Sequence, residues 1–156
     1  MRLHVCAVGR LRAGPERVLV NDYLERFERS GRAPGLGPAS EHEVEDRKGR
    51  GAAAEAALLV KVIPPGAAVI ALDERGTVMS SPEFADHLAR LRDAGRQDAA
   101  LVIGGADGLA PELRQRADAV LSFGAMVWPH MLVRVMIAEQ LYRAASILAG
   151  APYHRA

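Results

Sequence analysis

The polar residues best suited to chemistry lie towards the carboxyl end of the chain. His130 and Arg134 stand one helical turn apart, and Tyr153, His154 and Arg155 fall in the ending PYHRA. Histidine exchanges protons near neutral pH, and an arginine can steady a developing negative charge. His130 and His154 each have an arginine nearby in sequence. His4, His42 and His87 fall in an edge strand, a charge run and an amphipathic helix, and receive no role. A lone histidine before a helix is more often structural than catalytic, so that reading of His130 stays open. Arg134 interrupts an apolar helix face, where a buried guanidinium needs an anion or carbonyl acceptors. The pattern favours an ion pair with a core carboxylate or a carbonyl over a ligand carboxylate or oxyanion. Chain ends normally fray; a Tyr-His-Arg tail behind an apolar helix is one held for use.

Two glycine-containing stretches could bring main chain close to a ligand. In LVIGGADGL, residues 101–109, an apolar strand ends in Gly104-Gly105 and turns through Asp107-Gly108. ALDERGTVMSSPEF, residues 71–84, has the same layout of strand, loop and capped helix. At the carboxyl ends of neighbouring parallel strands they would wall one crevice, where α/β folds bind ligands. Neither is GxGxxG or GxxxxGK[ST], which disfavours a nucleotide held by its phosphates. A nucleoside held by backbone groups and a plain tight turn remain equally open. Ser80 and Ser81 read as helix caps, with no GxSxG elbow and no Ser-His-Asp order. Cys6 is the only cysteine, so no internal disulfide can form and no zinc-type cluster is expected.

The elements that position these groups follow from periodicity. Apolar runs at 3–8, 39–44, 67–73, 99–104 and 119–123 predict five strands. The third and fourth are continuously apolar, as in parallel strands buried on both faces. Helices are predicted over 15–30, 51–63, from Ser81, from Pro111, and over 132–149, with Pro64-Pro65-Gly66 stopping the second. The alternation implies a single-domain α/β fold, a mostly parallel sheet flanked by helices. The last helix is apolar almost all round, which points to a subunit interface as its second cover. Glu41–Arg50 reads as a solvated strand end and loop, and 31–38 as a helix-to-strand loop. The 156 residues carry a net charge of +1, with 49% hydrophobic and 25% charged side chains. Nothing global demands a polyanion partner. No apolar stretch approaches membrane-spanning length, and a cytoplasmic protein is expected.

The ordered pieces AVGRL, EVEDRKG, LDERG…SSPEFA, LVIGGADGL, LSF…WPH, LVRVMIAEQLYRA and PYHRA resemble the ribosomal RNA large-subunit methyltransferase H family, a group of small SPOUT methyltransferases. The similarity spans essentially the whole chain, and the terminal PYHR is its most specific piece. It implies a deep C-terminal trefoil knot within about 67–156, a homodimer, and binding of S-adenosyl-L-methionine (SAM). The positions matching the family's cofactor contacts are Leu72, Gly105 and the run Phe123, Gly124, Ala125, Met126, Val127 and Trp128, with Gly104 adjacent. The implied reaction is N3-methylation of a pseudouridine in 23S ribosomal RNA on the ribosome. His130, Arg134, Tyr153, His154 and Arg155 match the segment that meets the target base. Val127 replaces a common Thr, Trp128 a Phe or Leu, and Met131 a Gln or Pro. Arg2, Arg10, Arg12 and Arg17 are expected to form a basic rim. The competing readings are a nucleotide-binding α/β enzyme of another class and a non-catalytic ribosome-binding dimer. The first lacks a phosphate motif and an acidic ribose partner; the second leaves the tail without a purpose.

Overall fold

A computed structural model describes residues 1–155. Five parallel strands form one sheet in the order β2-β1-β4-β3-β5. They are β1 (Arg2–Val8), β2 (Ala39–Val44), β3 (Ala68–Val78), β4 (Asp98–Ile103) and β5 (Ala119–Ser122). The helices between them are α1 (Pro15–Ser30), α2 (Ala52–Val62), α3 (Ser81–Asp93), α4 (Pro111–Gln115) and α5 (His130–Leu148). Side chains alternate along each strand, so the sheet feeds two cores. Leu3, Val5, Ile70 and Leu101 meet Phe27 of α1, Leu88 of α3 and Leu141 of α5 on one face. Cys6, Ala71 and Val102 meet Leu59 of α2 and Leu113 of α4 on the other. Burial on both faces is why β3 and β4 read as unbroken apolar runs. Burial also pushes the Cys6 thiol up to about 12 and leaves it inert. Among the described residues no helix is long and apolar enough to cross a membrane.

Two features depart from expectation. The first is β3, which runs on to Val78 instead of ending near Asp73. The sheet pairing of Leu72 with Leu121 breaks, then resumes one turn of chain later as Thr77 with Leu121 and Val78 with Ser122. The polar DERG segment bulges out between these pairings and hides the continuation from any apolar-run reading. At its return Gly76 lies against β5, where a Cβ would meet the Val120 carbonyl oxygen at 2.6 Å. The second is α5, whose apolar girth is covered largely within the chain, by α1 on one side and by α3 and the sheet on the other. Leu132, Met131 and Val135 lie outside that cover or at its margin. Because β3 sits between β4 and β5, the loops leaving all three strands gather at one edge of the sheet.

Candidate active site

That edge holds a cleft of about 670 Å³, within the range of small-molecule and cofactor sites. Its walls are Leu72 to Arg75 at the bulge within β3, Ile103 to Leu109 at the end of β4 and beyond, and residues of the segment from Leu121 to His130 around β5, closed by Val133 of α5. The two glycine-containing loops therefore do form one crevice. Gly104 has no room for a side chain, since a Cβ would lie 2.5 Å from the Gly108 carbonyl carbon. That tight return is held by Gly108 N–H donating to the Gly105 carbonyl at 3.0 Å, with Gly108 at φ +75°. Gly105 is different. A Cβ there would meet flexible groups, the Glu55 carboxylate and Val8 Cγ1, both at 3.0 Å. Leu72, Gly104, Gly105, Phe123, Gly124, Met126, Val127 and Trp128 line the cleft, whereas Ala125 does not. Met126, Val127 and Trp128 stand exposed at its mouth.

His130 is the first residue of α5, follows Pro129 and lines the cleft. Arg134, one turn on, is turned away and almost fully buried, with its side chain 1% exposed. Its Nη1 reaches Glu43 at 2.5 Å and Glu41 at 3.5 Å, and its Nη2 donates to the Gly9 carbonyl at 2.8 Å. The ion pair and carbonyl favoured for Arg134 are both present. The charge run is not merely solvated: Glu41 and Glu43 also bind Arg17, and Glu43 accepts from Leu11 N–H. Burial pushes the Glu43 carboxyl up, but Leu11 N–H, Arg134 and Arg17 outweigh it and hold the group below its ordinary value. This network pins the first loop to α5 beside the cleft. It also removes Arg17 from the expected basic rim. Arg2 is lost to the rim too, being paired with Asp98 at the opposite end of β1. Arg10 and Arg12 remain exposed.

The comparisons with known proteins fit this architecture. A family model described as a predicted SPOUT methyltransferase matches residues 1–154. The chain belongs to the SPOUT methyltransferase family. A protein of Dinoroseobacter shibae named ribosomal RNA large subunit methyltransferase H is 71% identical over 155 residues, 99% of each chain. Its namesake in Cereibacter sphaeroides is 70% identical over the same span and coverage. Among solved structures, a probable methyltransferase from Bordetella pertussis is similar with a TM-score of 0.52 at 14% identity, covering 92% of this chain and 96% of that one. The last likeness speaks to fold alone.

In this SPOUT chain the tail does not enter its own cleft. Tyr153 donates its hydroxyl proton to Glu139 at 3.0 Å and packs on Tyr142, with ring centroids 4.3 Å apart. Burial first, and then the Glu139 carboxylate, raise the Tyr153 phenol above its ordinary range. Arg143 lies over the Tyr153 ring and donates to His154 Nδ1 at 3.3 Å. Arg155 is exposed. Glu139 and Arg143 sit roughly 14–20 Å along α5 from His130, at 1.5 Å per residue. The structure thus brings His130 together with the cofactor candidates and sets Arg134 behind them. Tyr153 and His154 are held on α5 elsewhere. Sequence reasoning missed Glu55, which α2 brings against Gly105. Its Oε2 is buried without a hydrogen-bond partner. A single glutamate in an alanine-rich helix carries no local signal.

Proposed function

We propose that this protein is a SAM-dependent methyltransferase that methylates N3 of a pseudouridine in 23S ribosomal RNA, acting on the ribosome in the cytoplasm as a homodimer. Residues 1–156 would form one domain, with the knot and pocket within about 67–156. The observation that carries this reading is the glycine-walled cleft at the carboxyl edge, with His130 at its rim. The names of the 70% identical relatives support the RNA substrate. The residues present suit the cofactor. Gly104 and Gly105 bare their main chain to the cleft, Leu72 and Phe123 give it apolar walls, and Trp128 offers a stacking surface at the mouth.

When bound, SAM supplies an electrophilic methyl group on a sulfonium. The chain contributes placement, the main lever in an in-line displacement. The Gly104–Gly108 turn and the Phe123–Trp128 segment would hold the donor by backbone groups, in which case Val127 in place of Thr would cost only a hydroxyl contact. His130 at the cleft rim would offer a donor to charge that spreads onto the carbonyls flanking N3. Arg10 and Arg12 draw the phosphate backbone towards the rim. Tyr153, His154 and Arg155 come to the cleft from a second copy, because each chain fastens Tyr153 and His154 to its own α5, away from its own cleft. Exposed Leu19, Met131 and Leu132, with a groove between Tyr23, Val135 and Met136, offer the apolar surface for that copy. Calorimetry with SAM, followed by transfer of labelled methyl to ribosomes lacking this modification, tests the reading. Saturable binding and one methyl per ribosome are expected. Binding without transfer would leave a cofactor-binding protein of another role, and no binding would remove the reading.

A further inference from the structure

The bulge in β3 is the wall of the cleft that the sheet supports least. Leu72 is the last residue of β3 paired with β4, and pairing with β5 lapses after Leu72 until Thr77. Asp73 to Gly76 therefore have no sheet partner on either side, yet Asp73, Glu74 and Arg75 line the cleft. Among the described residues, two side chains from other elements bond to this segment. From β5, the buried Ser122 hydroxyl lies 3.1 Å from the Glu74 carbonyl and 3.0 Å from the Gly124 carbonyl, and it accepts from Gly124 N–H at 3.1 Å. From α4, Arg114 Nη1 donates to Asp73 Oδ2 at 3.0 Å, in a pair that is largely buried. The other oxygen of that carboxylate accepts from Arg75 N–H at 2.9 Å, so the pair also fixes the turn of the bulge. A local turn at Ser122 would need Gly124 alone. The bond to Glu74, 48 residues away in sequence, instead joins the β3 wall to the β5 wall. Arg114 joins the β3 wall to the β4 wall, because α4 follows the β4 loop directly and is anchored in the core by Leu113.

We propose that Ser122 and Arg114 are positioning residues of this cleft, holding the β3 bulge between the other two walls so that the affinity for SAM depends on both. The inference rests on the methyltransferase reading above. Neither residue lines the cleft, so each acts through the bulge and not by touching the cofactor. A wall left loose must be ordered when the ligand arrives, and that ordering is subtracted from affinity. Without Ser122 the Glu74 carbonyl loses its link to β5. Without Arg114 the Asp73 carboxylate is left beside the cleft with no cation, and the bulge loses its link to α4. The two links hold one segment of four residues that no sheet pairing supports. Loss of either frees that segment, so loss of the second has less left to undo.

Ser122→Ala and Arg114→Met should each raise the Kd for SAM, measured by calorimetry, roughly 3- to 10-fold, the net worth of one hydrogen bond. In methyl transfer to ribosomes the KM for SAM should rise in step, with kcat at saturating SAM close to the wild-type value. Arg114→Lys keeps the charge and should recover part of the affinity. The double variant should lose less than the product of the two single losses. A role in the fold at large would lower the melting temperature and kcat along with the affinity, and that outcome overturns the proposal. So do unchanged affinity in both single variants, and losses that simply multiply in the double variant. If the wild type binds no SAM, the methyltransferase reading itself falls and this inference falls with it.

Discussion

Gly104 and Gly105 are adjacent but face different neighbours, and their substitutions should separate fold from binding. At Gly104 a Cβ meets backbone at 2.5 to 2.8 Å, which cannot swing aside. Gly104→Ala should cost about 1–3 kcal/mol of stability, the usual range for overpacking, and weaken SAM binding by opening the turn. At Gly105 the obstructing atoms are the ends of Glu55 and Val8. Gly105→Leu should push Glu55 and Val8 aside and shift the loop that walls the cleft, weakening SAM binding with a smaller loss of stability than Gly104→Ala. Unaltered affinity in Gly105→Leu would move the donor elsewhere. Arg134 makes a contrasting case. It is the largest fully buried side chain and serves Glu43, Glu41 and two carbonyls. Arg134→Met strands those acceptors, at the lower end of about 3–5 kcal/mol for breaking a buried pair, since Glu43 is partly exposed. Denaturant melts of the purified variant measure it directly.

The elements show how far local pattern reaches. Strands β3 and β4 were legible because burial on both faces writes an unbroken apolar run, and α3 because Ser80, Pro82 and Glu83 write its start; Ser80 and Glu83 form a reciprocal capping box. The β3 extension was not legible, since its second pairing depends on where β5 lies rather than on its own residues. Likewise Glu41 and Glu43 look like surface charges until β2 is placed beside β1 and α5. The β2 network also sets a pH dependence. The Glu43 carboxyl is held below its ordinary value, so the unfolded chain binds its proton more readily than the folded one. Its stabilisation is therefore fully present above the unfolded pKa and is lost as pH falls through the folded one. Glu43→Gln should be less stable than the wild type at neutral pH. The gap should close as pH drops below about 4.3, the ordinary glutamate value. Urea midpoints measured from neutral to acid pH would show the two curves converging; parallel curves would mean the carboxylate contributes nothing as a charge.

At the scale of the whole molecule, the cleft and the tail raise a question that one chain cannot answer alone. Tyr153 and His154 are fastened along α5 at Glu139 and Arg143, away from the cleft. A single subunit therefore holds the cleft at one place and the tail at another. In the proposed two-fold dimer each tail would reach the other cleft, and the isologous interface would repeat that contact twice. Two inactive variants test this together. Deletion of residues 153–156 should abolish methyl transfer and spare most of the SAM affinity. Gly105→Leu should lose the donor and keep its tail. If the site is shared, a mixed dimer contains one intact site, formed by the cleft of the truncated chain and the tail of the other. Unfolding and refolding an equal mixture should then recover roughly a quarter of wild-type activity, because half the dimers are mixed and each holds one site of two. If each chain used its own tail, no mixed dimer would hold an intact site, and the refolded mixture would stay as inactive as its parts.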